Sequence, residues 1–209
     1  MTRVLNKENY SRHTIPIKNK KEMTAIMSYW WKRYLDAKTE TKKWKAYRNY
    51  IFCLIGFNTA FRAEDLLQLK VKKIKKGYYA IKERKTNKPQ NFRMQNELHK
   101  EILTFIERFN LNDSDYLFTK SCKGYIPLTR QAANKTILYP AAEGIRLKQD
   151  FSVHSMRKTF AYQYYAKTGN LLTLMRMLNH SEPATTLRYI CWESTDTENE
   201  RNKIYYSGV

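Results

Sequence analysis

The sequence is poor in the residues that mark several protein classes. Its three cysteines, Cys53, Cys122 and Cys191, lie far apart without metal-ligand spacing, which predicts a reducing compartment and no zinc site. With only 6 Gly and 5 Pro beside 42% hydrophobic residues, the composition favours a packed, helix-rich protein over a disordered one. A secretory signal pattern and a membrane-length apolar run are both missing, so we expect a cytoplasmic protein.

Acidic residues are scarce relative to basic ones. The 209 residues contain 39 Lys+Arg and 19 Asp+Glu, a formal charge of +20, and residues 1–100 alone hold 25 basic and 8 acidic side chains. Clustered cations gain affinity for nucleic acid by displacing its counterions, so a polyanionic partner is the natural inference. A solvated, solubilising face is the alternative. A membrane surface is disfavoured because no basic amphipathic helix with a continuous apolar face is present.

The hydrophobic pattern predicts a mainly α fold in one main domain. We interpret residues 1–20 as a basic arm or linker, 21–192 as the domain, and 193–209 as a C-terminal tail. Helices are predicted over residues 21–37, 40–57, 96–109, 129–144, 155–168, 171–179, 183–190 and 193–205, with a short one after Arg62. The buried face of the helix at 96–109 should consist of Leu98, Ile102, Phe105 and Ile106.

One segment has a strand-like pattern instead. Residues 78–81 and 91–94 flank the polar stretch K-E-R-K-T-N-K-P-Q, which predicts a β-hairpin with a long basic connection. The fold class expected is therefore mainly α with a small β-hairpin or three-stranded sheet.

Arg and His residues in three short stretches are suited to binding an anion. His154 and Arg157 are three residues apart, which puts both on one face at a helix start. Arg62 is followed after three residues by Asp65, which can orient it. A guanidinium binds two phosphate oxygens at once, and an imidazole adds a donor that titrates near neutrality. Each of these residues alone is more often structural, so their joint spacing matters most.

Those stretches resemble the three signature boxes of the tyrosine recombinase (phage integrase) family. The boxes read T-A-F-R-A-E-D-L-L-Q-L, H-S-M-R-K-T-F-A and L-N-H-S-E-P-A-T-T-L-R-Y. His154 and His180 are 26 residues apart and His180 and Tyr189 are 9 apart, which is typical of the family. The resemblance covers roughly residues 40–195. Ala60 and Asn179 stand where the family usually has Gly, and Asp65 replaces Glu.

The resemblance implies a role for each matching residue. Arg62 and Arg157 would bind the phosphate with His154 and His180, and Tyr189 would be the nucleophile. The family also places a lysine in the hairpin connection. Lys85 is the best match, Lys88 is a competitor, and Lys82 is a weaker one.

The implied reaction is site-specific recombination of DNA through a 3′-phosphotyrosine intermediate. Neither a metal nor ATP is needed, and the sequence contains no P-loop and no carboxylate cluster for Mg²⁺. Double-stranded DNA is the expected partner, and a homo-tetramer is expected to bind two DNA sites together with accessory DNA-bending proteins. Free of DNA, the protein is expected to be a monomer. We expect nonspecific phosphate contacts from the hairpin connection and the stretch before it, through Lys72, Lys73, Lys75, Lys76 and Lys88. A solvated turn before the hairpin is the alternative for the first four.

Few residues precede the resemblance, so we expect either a catalytic domain alone or a compact stand-alone member similar to the fimbrial phase-switch recombinases. The tail after Tyr189 either docks on a neighbouring protomer or packs on its own domain. Two other functions stay open. The chain can be a DNA-binding regulator that does not use the chemistry, or a type IB topoisomerase-like enzyme that relaxes DNA as a monomer.

Overall fold

A computed structural model describes residues 14–82, 89–122 and 124–204, with the backbone alone for 79–82 and 89–92. The prediction of a mainly helical protein is confirmed. The helices are α1 (Lys20–Leu35), α2 (Glu40–Asn58), α3 (Ala63–Leu67), α4 (Val71–Lys75), α5 (Asn96–Arg108), α6 (Arg130–Ala133), α7 (Tyr139–Gly144), α8 (Val153–Thr168), α9 (Leu171–Leu178), α10 (Pro183–Tyr189) and α11 (Ser194–Arg201). In the described ranges, no helix combines the length and the apolar character that crossing a bilayer requires.

Two short strands form in the segment for which a hairpin is predicted. β1 (Tyr78–Lys82) pairs antiparallel with β2 (Pro89–Arg93), and Tyr78 lies opposite Arg93. Within the described residues this sheet has two strands. The connection that contains Lys85 and Lys88 lies outside the described residues.

The helix α2 is the centre of the fold. Its first turn is capped by Thr39, whose hydroxyl accepts from the N–H of Lys42. Apolar side chains then cover nearly its whole circumference, as expected for a helix packed on several sides, and α1, α5 and α8 all contact it. The buried face predicted for α5 is confirmed, since Leu98, Ile102, Phe105 and Ile106 are all buried.

The buried side chains form two clusters of very different size. The large core joins α1, α2, α5 and parts of the segments around them, including the edge-to-face pair Phe52 and Phe118. The small cluster consists of Ala60, Ala161, Tyr162, Leu174, Leu178 and Ile190. Met156 belongs to the large core and Ala161 to the small one, so α8 connects them.

The helices α2 and α8 approach each other closely at Gly56. A Cβ atom there would lie 2.5 Å from Sδ and 3.3 Å from Cβ of Met156, which is itself buried. Glycine is thus needed for this approach. The contact brings the end of α2, which leads to Arg62, against the start of α8, which carries Arg157.

The last residues of the segment predicted as an arm or linker pack against the domain. Ile17 is fully buried, and its N–H donates to the hydroxyl of Thr159 at 2.8 Å. Gln163 donates to the carbonyl oxygens of Ile17 and Lys18. Ile17 and Lys18 are therefore fixed along α8, whereas residues 1–13 lie outside the described residues.

The C-terminal helix α11 lies on its own domain in this chain. The Asp196 carboxylate accepts a hydrogen bond from Tyr162 at 2.7 Å and forms an ion pair with Lys18, also at 2.7 Å. The start of α11 is thus bound to both α8 and the extended N-terminal segment. Of the tail, residues 205–209 lie outside the described residues.

Two local structures differ from the sequence prediction. The lysine-rich stretch before the hairpin is the helix α4 and not a turn, because Val71 and Ile74 are both fully buried on one side of it. The helix predicted over residues 129–144 runs through a π-helical stretch, Asn134–Leu138, between α6 and α7. Extra-wide turns of this kind depend on tertiary packing that the residue pattern does not reveal.

Candidate active site

Two arginines distant in sequence converge on one backbone carbonyl. Arg62 is the N-cap residue of α3, directly after the chain leaves α2, and Arg157 lies in the second turn of α8. Nη2 of Arg157 donates to the carbonyl oxygen of Leu178 at 3.1 Å, and Nη2 of Arg62 donates to the same oxygen at 3.5 Å. The two guanidiniums therefore occupy one small volume beside the end of α9.

The start of α8 is held firmly, which fixes the position of Arg157. Ser152 and Ser155 form a reciprocal capping box, and the N–H of Val153 donates to Oδ1 of Asn134 at 3.1 Å. Arg157 is 4% exposed, so its charge is largely removed from water. A buried guanidinium needs anionic or oxygen partners, which makes this position suited to receive a phosphate.

Tyr189, the last residue of α10, reaches the same volume. Burial raises the pKa of its phenol above the usual value, although a hydrogen bond from Arg157 and the positive charges of Arg157 and Arg62 act to lower it. The phenol oxygen therefore lies within hydrogen-bonding reach of Arg157. Nζ of Lys158 lies over the Tyr189 ring, 5.3 Å from its centroid.

His180 stands between the arginines and the tyrosine along the chain. It follows Asn179, which has left-handed backbone angles (φ 58) and ends α9, and the N–H of His180 donates to the Met175 carbonyl at 2.9 Å. Asparagine tolerates this conformation, so the absence of the family's glycine leaves the turn intact. The His180 ring meets the Tyr189 ring edge-on, with centroids 5.2 Å apart. Its Nδ1 lies 3.1 Å from the hydroxyl of Thr186.

His154 occupies the first turn of α8 and is exposed. Its Nε2 lies 3.4 Å from Nη1 of Arg130, the first residue of α6. Arginine has only donors, so Nε2 accepts in this contact. The exposed edge of the site thus carries an arginine–imidazole pair, Arg130 and His154.

The sequence matches the phage integrase family over residues 19–193. The chain belongs to this family. It is accordingly a site-specific recombinase of the tyrosine type.

Similarity to individual proteins agrees with the family assignment. The chain is 33% identical over 177 residues to the probable integrase/recombinase YoeC of Bacillus subtilis (strain 168), which covers 83% of this chain and 94% of YoeC. The structure of XerA recombinase superposes with a TM-score of 0.69 at 16% identity, covering 93% of this chain and 68% of XerA. XerH recombinase, bound to a palindromic difH substrate, gives 0.64 at 22% identity, covering 94% and 55%. This recombinase therefore spans about half the length of the XerH chain and shares the fold of both.

The predicted site residues of the recombinase divide into three groups. Arg62, Arg157, His180 and Tyr189 are brought together, whereas His154 pairs with Arg130 on the exposed side. The hairpin lysines Lys85 and Lys88 lie outside the described residues, and of Lys82 the backbone alone is described.

Four of the five lysines predicted to contact DNA lie on or directly after α4. Lys72, Lys73, Lys75 and Lys76 are all exposed, and Lys75 forms an ion pair with Asp113 at 2.7 Å. Their exposure is compatible with either a DNA contact or a solvated helix face, so the predicted role stays a prediction. The same holds for the expectation that Asp65, which is buried in α3, orients Arg62.

Sequence reasoning missed three residues of the recombinase site. Lys158 follows Arg157 directly, so its position beside Tyr189 could have been suspected. Thr186 lies within the third box, but nothing in the sequence indicates that its hydroxyl meets His180. Arg130 carries no signal at all, because its contact with His154 joins residues 24 apart in sequence on two different helices.

Proposed function

We propose that this recombinase cuts and rejoins DNA through attack of the Tyr189 phenol oxygen on a phosphodiester held by Arg62 and Arg157. The convergence of both guanidiniums and the phenol on one volume carries this proposal. In the DNA-free chain the guanidiniums donate to the Leu178 carbonyl oxygen. A nonbridging phosphate oxygen offers the same acceptor geometry with a negative charge, and it therefore competes well for these donors.

The step begins from a protonated nucleophile. Because burial keeps the pKa of Tyr189 above its ordinary value, the phenol carries its proton at neutral pH and must lose it during attack. The new bond joins the phenol oxygen to phosphorus, and the bond from phosphorus to the 5′ oxygen breaks. The products are a 3′-phosphotyrosine and a 5′ hydroxyl, so the energy of the bond is conserved for rejoining.

Charge in the transition state accumulates on the nonbridging oxygens. Arg62 and Arg157 are already positioned to stabilise that charge, with His180 beside the nucleophile and His154 at the exposed edge. The departing 5′ oxygen needs a proton, and the hairpin lysine, Lys85 with Lys88 as the alternative, is proposed to supply it. All of these groups belong to this chain.

Double-stranded DNA is the proposed substrate, and the separated cysteines without a secretory signal pattern support a cytoplasmic location. The formal charge of +20 and the exposed lysines on α4 support a phosphate-binding surface, and the relative XerH was solved bound to a difH DNA substrate. We propose that a homo-tetramer joins two DNA sites, with accessory proteins that bend the DNA. A third strand beside the two-stranded hairpin belongs to the same proposal.

A nicked suicide substrate tests the chemistry directly, because loss of a short fragment after cleavage traps the covalent adduct. The wild type should form the adduct, Tyr189→Phe should form none, and Tyr125→Phe, at an exposed position, should behave as the wild type. An adduct that persists in Tyr189→Phe would overturn the assignment of the nucleophile. No wild-type adduct on a validated site would favour the DNA-binding regulator.

The role of Arg157 can be separated from DNA binding with Arg157→Lys, which keeps the buried charge but loses the planar fork. Cleavage should fall about 100-fold or more, as expected when a transition-state donor is lost, with DNA affinity nearly unchanged. Equal losses of both would mean that the arginine merely docks the DNA. The product formed on DNA that carries two sites distinguishes the two possible enzymes. Strand exchange indicates a recombinase, and relaxation alone indicates a topoisomerase-like enzyme.

A further inference from the structure

The Thr186 hydroxyl lies beside the His180 imidazole, where it can determine which ring nitrogen carries the proton. It is fully buried in α10, one turn before Tyr189, and its side chain is directed inward. Its Oγ1 lies 3.1 Å from Nδ1 of His180 and 3.3 Å from the carbonyl oxygen of Glu182. These two contacts account for both functions of a hydroxyl, one donor and one acceptor.

The direction of both hydrogen bonds follows from the chemistry of the partners. A backbone carbonyl can only accept, so the Thr186 hydroxyl is the donor in its contact with the Glu182 carbonyl oxygen, and with that hydrogen bond made its single proton is not available to His180. The oxygen of the hydroxyl is then an acceptor toward His180, and Nδ1 of the imidazole must carry a proton. In a neutral imidazole one nitrogen is protonated and the other is bare, so Nε2 is then the bare one.

We infer that Thr186 is a positioning residue that holds His180 in the tautomer with the proton on Nδ1. The inference rests on the proposed function for its meaning in catalysis, but the tautomer itself is a property of the DNA-free chain. Neutral His180 then presents a lone pair at Nε2 and accepts a proton in the site. Once protonated, the imidazolium keeps its Nδ1 hydrogen bond to Thr186 and can donate from Nε2 to a phosphate oxygen.

The arrangement has a consequence for the order of events. An imidazole with its proton on Nε2 could stabilise a phosphate oxygen while neutral. With Thr186 as observed, His180 becomes a donor toward phosphate only after it has taken up a proton. The Tyr189 phenol must lose a proton during attack, and the edge-on contact of the two rings, with centroids 5.2 Å apart, keeps the His180 ring beside the Tyr189 ring.

Substitutions at Thr186 separate the effect of its hydroxyl group from the effect of its side-chain volume. Thr186→Val keeps the branched volume and removes both hydrogen bonds, whereas Thr186→Ser keeps the hydroxyl. The neighbouring Thr185 is exposed, so Thr185→Val is a matched control for the loss of a threonine in the same helix.

The direct measurement is the nitrogen NMR spectrum of the full chain labelled at its histidine rings, at about pH 8.5, where an unperturbed imidazole is neutral. Protonated and bare ring nitrogens give well-separated signals, and His180→Gln identifies the signals of His180. We expect a protonated Nδ1 and a bare Nε2 in the wild type, in Thr186→Ser and in Thr185→Val. In Thr186→Val, the Nε2-protonated form should appear. A wild-type His180 with its proton on Nε2 overturns the inference, whether or not the valine variant folds.

Adduct formation on the suicide substrate gives the functional side of the test. Thr186→Val should form the adduct about tenfold more slowly, which corresponds to about 1.4 kcal/mol, while Thr186→Ser and Thr185→Val should stay within about twofold of the wild type. A wild-type rate in Thr186→Val would contradict the role in catalysis. If the wild type itself forms no adduct, the proposed function fails, and the NMR spectrum still decides the tautomer.

Discussion

The two parts of the molecule that meet at the active site are supported very differently. Arg62 comes off α2, the centre of the large core, whereas Tyr189 lies on α10, which packs on the small cluster that includes Leu174 and Ile190. Local opening costs least where few apolar side chains are buried. We therefore expect the phosphate-binding Arg62 to belong to the rigid part of the site and Tyr189 to the part that can move.

The strongest test of this contrast is Phe52→Ala in the large core. Phe52 is fully buried against Phe118, so the free energy of unfolding should fall by about 3–5 kcal/mol. If α9 and α10 open while the large core stays folded, Phe52→Ala destabilises the fully folded chain and the locally opened chain by the same free energy. Hydrogen exchange of the α9 and α10 amides should then stay unchanged while that of α2 accelerates. Faster exchange in both regions would show that they open together.

Leu174→Ala tests the opposite side of the comparison. Leu174 is fully buried in the small cluster, and we expect a loss of about 2–3 kcal/mol, at the low end for such a change because a small cluster can collapse around the gap. Here both the local opening of α10 and global unfolding become easier, so amides of α10 and α2 should lose protection by similar amounts. Loss of protection in α2 alone would contradict a separate nucleophile region.

The ion pair between Lys18 and Asp196 should add an acid-sensitive contribution to the nucleophile region. Burial raises the pKa of the Asp196 carboxyl, but hydrogen bonds from Lys18 and Tyr162 outweigh this and leave the pKa below its usual value. The folded pKa is the lower one, so the stabilisation is present above the unfolded value of about 4 and is lost as the pH falls through the folded value.

Asp196→Asn should therefore lower the melting temperature at neutral pH, by the equivalent of about 1 kcal/mol, and the difference from the wild type should shrink below about pH 4. The control is Asp113→Asn, which removes the exposed pair with Lys75 and should cost less than about 0.5 kcal/mol. A difference for Asp196→Asn that grows toward acid pH would contradict the role of the ion pair.

The smallest expected effect is a gain in stability just beyond the nucleophile. Cys191 has left-handed backbone angles (φ 53) at the end of α10, a conformation that costs a non-glycine residue energy. Cys191→Gly should stabilise the protein by about 0.5–1 kcal/mol and raise the exchange protection of α10. Asn110→Gly, at a similar angle (φ 48) after α5, should gain less because asparagine tolerates this region. Equal gains at both positions would remove the argument for strain at Cys191.

Much of the site could be predicted from the sequence because box spacing reflects chain geometry. The separation of His180 and Tyr189 allows a turn and a short helix, and the structure fills it with residues 181–182 and α10. Apolar periodicity likewise predicted the buried face of α5. Both signals are local along the chain, so a residue pattern can carry them.

Other features depend on contacts between distant segments and left no local pattern. Ile17 lies in a polar stretch and was assigned to an arm or linker, yet it is fully buried against α8. Arg130 meets His154 because α6 packs near the start of α8. The helix α4 was missed since its apolar side consists of two residues, Val71 and Ile74, within a run of lysines.

One peptide oxygen links the two halves of the site directly, in addition to their packing. Leu178 ends α9, and from there the chain runs without interruption to Tyr189, while its carbonyl oxygen accepts from both Arg62 and Arg157. A well-formed hydrogen bond to a charged group contributes about 1.5–3 kcal/mol, and the 3.1 Å bond from Arg157 is closer to that geometry than the 3.5 Å bond from Arg62. Any displacement of the tyrosine segment that withdraws this oxygen breaks both at once. Displacement of Tyr189 from the site and loss of the hydrogen bonds that Arg62 and Arg157 donate to Leu178 are therefore coupled.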